Sequence, residues 1–216
     1  MRSQQSGFTL VEIAIVLVII GLLLGGILKG QELINSAKVK NLANDFRVIP
    51  TYIYAYQDKF KALPGDDANV TQHITGATAA AAANLGNGVI NGSWNSNTNT
   101  DESFLFWQHV RLANLAAGPT DVTDTTYIPR NAVGGIIGIS STTVPQIQIS
   151  GMTGTYEVCS AGILGKFAKQ LDIQMDDGKT ESGSMRVVAD GAAMGTAAVA
   201  TTAVDDATNY TVCMTF

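Results

Sequence analysis

Hydrophobic positions divide this chain into three regimes. From Ile13 to Leu28 there is no charged residue. With Phe8 to Val11 the apolar span reaches about 21 residues, broken by Glu12, close to the ~20 residues that cross a hydrocarbon core as a helix. From Gln31 to about Phe60 the pattern becomes amphipathic. Leu33, Ala37, Leu42, Phe46, Ile49, Ile53 and Tyr56 recur at three- to five-residue steps, with Lys38, Lys40, Asp45 and Arg47 between them. One long helix is predicted, its first half suited to a membrane and its second to the surface of a globular domain. Pro50 is expected to kink or break it, and Leu63-Pro64-Gly65-Asp66-Asp67 to end it. The tyrosines 52, 54 and 56 with Phe60 read as packing residues.

The third regime is mixed. Residues 68–100, with an alanine run at Ala79–Ala83 and the Gly/Asn-rich stretch from Leu85 to Gly92, read as a long surface connection with a short helical turn. Asp101-Glu102 opens a second helix, Ser103 to about Leu115, with Phe104, Leu105, Trp107, Leu112 and Leu115 as its buried face. After Gly118-Pro119 the signal turns to β: Val133–Ile139, Val144–Ile149, Ser184–Ala189, and two matching Tyr-x-Val-Cys segments, Tyr156–Cys159 and Tyr210–Cys213, suited to two strands of one sheet. Ile163 to about Met175 is expected as a short helix ended by Asp176-Asp177-Gly178, and residues 191–208 as a small-residue loop. The fold class is α+β: a long N-terminal helix packed on a C-terminal antiparallel sheet.

Composition narrows the functional classes. The 216 residues suffice for one domain with an appendage. The net charge is −5 and no basic run exists, so nucleic acid is not an expected partner. The two cysteines, Cys159 and Cys213, fit either one disulfide in an oxidising compartment or two buried thiols. His73 and His109 have no cysteines at metal-site spacing and read as surface or helix residues. No Ser/His/Asp order, HExxH or phosphate-cradling loop is present in the sequence, so no catalytic residue and no enzyme are expected. Asp66-Asp67 and the trio Asp172, Asp176 and Asp177 offer oxygen ligands of the kind Ca²⁺ takes, without EF-hand spacing. Turn-forming aspartates account for them equally, and no cofactor is expected.

The N-terminus carries the specific signal. A secretory signal places its small-residue cleavage site after the apolar stretch. Here the small residue, Gly7, precedes it, so a cut there leaves the hydrophobic helix on the mature chain. Glu12 is a carboxylate near the start of an apolar helix, where such groups are costly and functional by default; an interfacial Glu or one favoured by the helix dipole is the alternative. Gly7-Phe8-Thr9-Leu10-Val11-Glu12 followed by Ile13–Gly21 resembles the class III signal of type IV prepilins and type II secretion pseudopilins. Glu102–His109 and Leu171–Gly178 also resemble globular parts of pilin-like proteins, less specifically.

The resemblance implies cleavage between Gly7 and Phe8 by a prepilin peptidase and N-methylation of Phe8. It implies that Glu12 pairs with the Phe8 amine of a neighbouring subunit, consistent with the low cost of burying two charges that neutralise each other. It further implies an exported protein, and so an oxidising compartment that favours the disulfide. The implied organisation is a leader at 1–7, a transmembrane and assembly helix at 8–30, its amphipathic continuation at 31–63 and a globular domain at 64–216. Other pilin subunits and the inner-membrane assembly machinery are the implied partners. The protein would sit in the bacterial inner membrane as a single-pass precursor and then in a filament. A type II secretion pseudopilin, or a minor pilin at a filament tip acting as an adhesion module, are the alternatives. One departure is that the helix-bending proline of many major pilins is replaced here by Lys29 among Gly25, Gly26 and Gly30.

Overall fold

The computed structural model describes residues 9–81, 85–143 and 147–216. The chain forms two compact units, Met1–Lys38 and Val39–Phe216. Helix α1, Leu10–Phe60, spans the division between them. In the first unit its apolar side chains, from Leu10 to Leu28, are exposed, and the helix is long and apolar enough to cross a membrane.

In the second unit, α1 from Val39 onward buries Val39, Leu42, Ala43, Phe46, Ile49, Ile53 and Tyr56. The amphipathic stripe read from the sequence is therefore buried at five of its seven positions, and Leu33 and Ala37 are exposed. Pro50 does not break the helix, which runs on to Phe60. Proline removes one backbone donor, but Phe46, Ile49 and Ile53 on either side are buried in one core. Their burial outweighs the lost hydrogen bond.

Four strands make one antiparallel sheet: β1 Ile137–Ser141, β2 Tyr156–Leu164, β3 Met185–Ala189 and β4 Asn209–Thr215, in the order β1-β2-β4-β3. Sequence pattern placed β1 earlier, at Val133–Ile139. The shift arises because Asn131 organises a tight turn over 131–135, its side-chain oxygen accepting from the N–H groups of Val133 and Gly135. The second β run forms no strand in its described part. Ile149 makes only an isolated bridge to Thr196, and Val144 lies outside the described residues.

The remaining elements are the short α2 (Val70–His73), α3 (Glu102–Leu112), α4 (Gly165–Met175) and a 3-10 turn at Thr201–Ala203. Helix α4 starts two residues later than its apolar pattern because Ile163 and Leu164 extend β2 past a bulge after Ser160. Helix α3 ends at Leu112, where Asn114 takes a left-handed φ of 62°. It is buried on nearly every side rather than along one stripe. Loops take up several of its polar groups, while Arg111 Nε is buried without a hydrogen-bond partner. Arg111 Nη1 donates to Pro119 O and Tyr127 O, Gln108 Nε2 donates to Thr120 O, and Tyr127 Oη donates to Phe104 O.

Each face of the sheet has its own core. Ile137, Ile139, Val158, Val187 and Val212 join the α1, α3 and α4 side chains on one face. On the other, Cys159, Cys213 and Val188 pack with Trp94, Ile147, Ile149 and Met152. Both edge strands are covered. Ser141 N donates to Ile90 O beside β1, while Val187 exchanges backbone bonds with Thr180 and Val199 beside β3. A Cβ at Gly138 would collide with Trp94 O. Gly138→Ala should therefore destabilise the full chain by about 1–3 kcal/mol, the usual cost of overpacking, read from the urea midpoint. An unchanged midpoint would show that the Trp94 segment gives way freely.

Candidate functional site: the start of the apolar helix

Thr9 and Glu12 organise the first turn of α1. Thr9 N and Thr9 Oγ1 each donate to Glu12 Oε2 at 2.8 Å, and Glu12 N donates to Thr9 Oγ1 at 3.3 Å. This is a reciprocal capping box. The N-cap hydroxyl takes one orphan backbone donor of the helix, and the carboxylate three residues on takes another. Thr-x-x-Glu ahead of an apolar run is itself a sequence signature of that box, so Thr9 belongs to the site although the sequence reading weighed Glu12 alone. Gly7 and Phe8 lie outside the described residues.

Glu12 has no cationic partner among the described residues; its carboxylate bonds Thr9. Lys29, at the far end of the apolar stretch, pairs with Glu32 at 2.6 Å. The arrangement thus presents one carboxylate at the N-terminal end of an exposed apolar helix, held in a defined orientation by the backbone it caps.

The other singled-out groups are committed within the globular unit. Cys159 and Cys213 are directly opposed on β2 and β4 and are joined by a disulfide with Cα atoms 4.1 Å apart. Asp66 accepts from the N–H groups of Gly86, Asn87 and Gly88. Asp67 accepts from Tyr56 Oη at 2.9 Å and Asn69 N at 2.9 Å, and bonds His73 Nδ1 at 2.7 Å. Their oxygens are turned toward hydrogen-bond donors, the arrangement of a pinned turn rather than a cation cage.

His109 is a helix residue, on α3, and is fully buried rather than at the surface. Gly65 N donates to its Nδ1, so Nε2 carries the proton and donates to Thr78 O at 2.8 Å. Burial holds its pKa below the usual value, consistent with this neutral tautomer. The ring ties the turn after α1 to the loop after α2, a role sequence spacing does not reveal.

Asp176 and Asp177 lie near enough to raise the Asp172 carboxyl, but among the described residues the three do not form a group with ligand atoms within 4.8 Å of one another. Asp176 accepts from Met185 N, and Asp177 from Lys179 N and Ser182 Oγ. Asp172 is buried with both oxygens lacking a hydrogen-bond partner. Burial pushes it up to about 6, against the pull of nearby Gly178 and Lys179 N–H groups. Among the described residues, the one group of three ligand-type side chains with donor atoms within 4.8 Å of one another is Glu157, Cys159 and Cys213. Its two sulfurs are already bonded to each other.

A family model for the prokaryotic N-terminal methylation motif matches residues 2–28. The match supports the resemblance of this stretch to the class III signal of type IV prepilins and pseudopilins. Together with the α+β, pilin-like fold, it supports a pilin-like structural subunit rather than an enzyme. No curated protein and no solved structure matches the chain.

Proposed function

We propose that this chain is the precursor of a filament subunit of the type IV pilus kind. A prepilin peptidase cuts between Gly7 and Phe8, and Phe8 is then N-methylated. The helix from Phe8 to Gly30 holds the subunit in the inner membrane and later packs against other subunits. Residues 31–63 continue that helix, and 64–216 form the domain displayed outside the membrane. Glu12 pairs with the Phe8 amine of a neighbour and sets the axial register. The reading is carried by one observation: the methylation motif at residues 2–28 runs straight into an exposed apolar helix with a carboxylate in its first turn. A basic side chain is not within helical reach of Glu12 in the apolar stretch, so a cleaved amine is the natural counter-charge.

Intact mass spectrometry of the chain purified from membranes tests it. The expected species begins at N-methylated Phe8, and it should be replaced by the full precursor in cells lacking prepilin peptidase. A mature N-terminus at Met1, or one beyond Leu28, overturns the reading. Sheared filaments should contain the same species, which checks the assembly half separately.

A further inference from the structure

The face of the sheet away from the helices carries a buried carboxylate with no counter-charge among the described residues. Glu157 lies on β2 two residues before Cys159, on the same face, and is fully buried. One of its oxygens sits within 4.8 Å of both disulfide sulfurs. It accepts from Gln148 N at 2.9 Å and from Ser140 Oγ at 3.1 Å. Gln148 relays the connection: Trp94 Nε1 donates to its Oε1 at 2.8 Å, and its Nε2 donates to Ala192 O at 3.1 Å. Ser150 N to Thr196 O and Gly195 N to Ile147 O then tie the 147–150 segment to the 192–196 segment. This loop layer, with Trp94, Ile149 and Met152, covers the disulfide.

The surrounding elements bring no neutralising charge. From β1 comes Ser140, and from β4 come Cys213 and Thr215. Ionisable groups on this face include Arg186 of β3, which bonds Ser150 O, and Asp190 just beyond β3, bound to Thr211 Oγ1. Neither acts on Glu157, whose environment consists of burial and the two neutral donors Gln148 and Ser140.

We propose that Glu157 latches the loop layer over the Cys159–Cys213 disulfide, and that its ionisation loosens the latch and opens the disulfide to reductant. As a neutral acid it accepts from Gln148 and Ser140 without burying a charge; both donors favour the anion, but burial outweighs them. As an anion it is a charge in an apolar layer without a cation, which is costly unless water reaches it. The cheapest route for water is to lift the 147–150 segment, whose other backbone N–H bonds run to loop residues and whose tie to β3 is the 3.5 Å contact of Arg186 Nη1 with Ser150 O.

The direction of the pH effect follows. Burial raises the Glu157 carboxyl to about 7 from an ordinary 4.5. The latch is therefore complete below the ordinary value and is lost as pH rises through 7. With those two values, opening should increase about tenfold between pH 6 and pH 8.

The test uses the full-length chain in detergent and a water-soluble trialkylphosphine. The phosphine donates its electron pair to one sulfur and the S–S bond breaks, releasing the other as thiolate. Hydrolysis of the thiophosphonium gives the second thiol and a phosphine oxide. Rates for wild type and Glu157→Gln are taken side by side at pH 6 and pH 8, so that the reagent's own pH dependence cancels in their ratio. The expected ratio of wild type to variant rises about tenfold across that interval; a constant ratio overturns the proposal. Amide hydrogen exchange at Gln148, Ser150 and Gly195 in the wild type, corrected for intrinsic rates, should lose protection by a similar factor. Unchanged protection overturns it as well, whether or not the variant folds.

Discussion

Replacing both Cys159 and Cys213 by alanine should lower the stability of the globular unit by about 4 kcal/mol. The bridge closes a sequence separation of 54 residues, and a loop of that length restricts the unfolded chain by about this much in the loop-entropy treatment, a model-dependent figure. Alanine is the better substitute because both positions are fully buried in an apolar layer, where serine would add the cost of an unsatisfied hydroxyl. Domains of this kind hold roughly 5–15 kcal/mol in all, so the loss should appear as a large drop in urea midpoint. Reduction of the wild-type protein should reproduce most of it. A change under about 1 kcal/mol would mean that the β2–β4 ladder alone sets the alignment of these strands, and that the unfolded chain gains little freedom when the bridge is cut.

Glu12→Leu should insert into the membrane at least as well as wild type and assemble far worse. In the isolated chain Glu12 caps its own helix through Thr9. Loss of such a cap typically costs about 1 kcal/mol, confined to the first turn and remote in sequence from the globular core. In the proposed filament the same carboxylate meets an amine that would otherwise be an unpaired buried charge, a penalty of several kcal/mol. Glu12→Gln separates the two roles. Glutamine serves the capping box but carries no charge, so it should keep the helix start intact and still depress filament yield. Yield in sheared filaments, set against the amount of subunit in the membrane fraction, distinguishes these outcomes. Normal assembly of Glu12→Leu would leave Glu12 as a helix cap and nothing more. Normal assembly of Glu12→Gln with failure of Glu12→Leu would place its importance in the cap rather than in charge pairing.

How much could be read in advance depended on how local the determining physics was. The apolar helix was legible because a membrane demands an unbroken run of one kind of side chain, from Ile13 to Leu28. The Tyr-x-Val-Cys segments were legible because period-two alternation and a shared motif both point to paired strands, and they became β2 and β4. Other features depend on partners distant in sequence. Helix α3 is buried all round because loop carbonyls at Pro119, Thr120 and Tyr127 wrap its Arg111 and Gln108, and no helical periodicity encodes that. His109 is buried because Gly65 and Thr78 supply a donor and an acceptor on opposite sides of its ring. Residues 147–149 have the composition of a strand, yet Glu157 captures Gln148 N, and that backbone group is spent outside any ladder. At the N-terminus, Glu12 stood out by its cost, while its partner Thr9 is identified by the spacing of a capping box.

The covered sheet edges bear on how such subunits tolerate crowding. A polymer holds its displayed domains side by side at very high local concentration, the condition under which bare strand edges recruit one another into cross-β stacks. Here the edge beside β1 is occupied by Ile90 and the one beside β3 by Thr180 and Val199, through backbone bonds of the chain itself. Lateral zippering would have to strip those segments away first. Backbone groups already committed in this way are not offered to a second copy, a protection local to Ser141 and Val187 at the two edges.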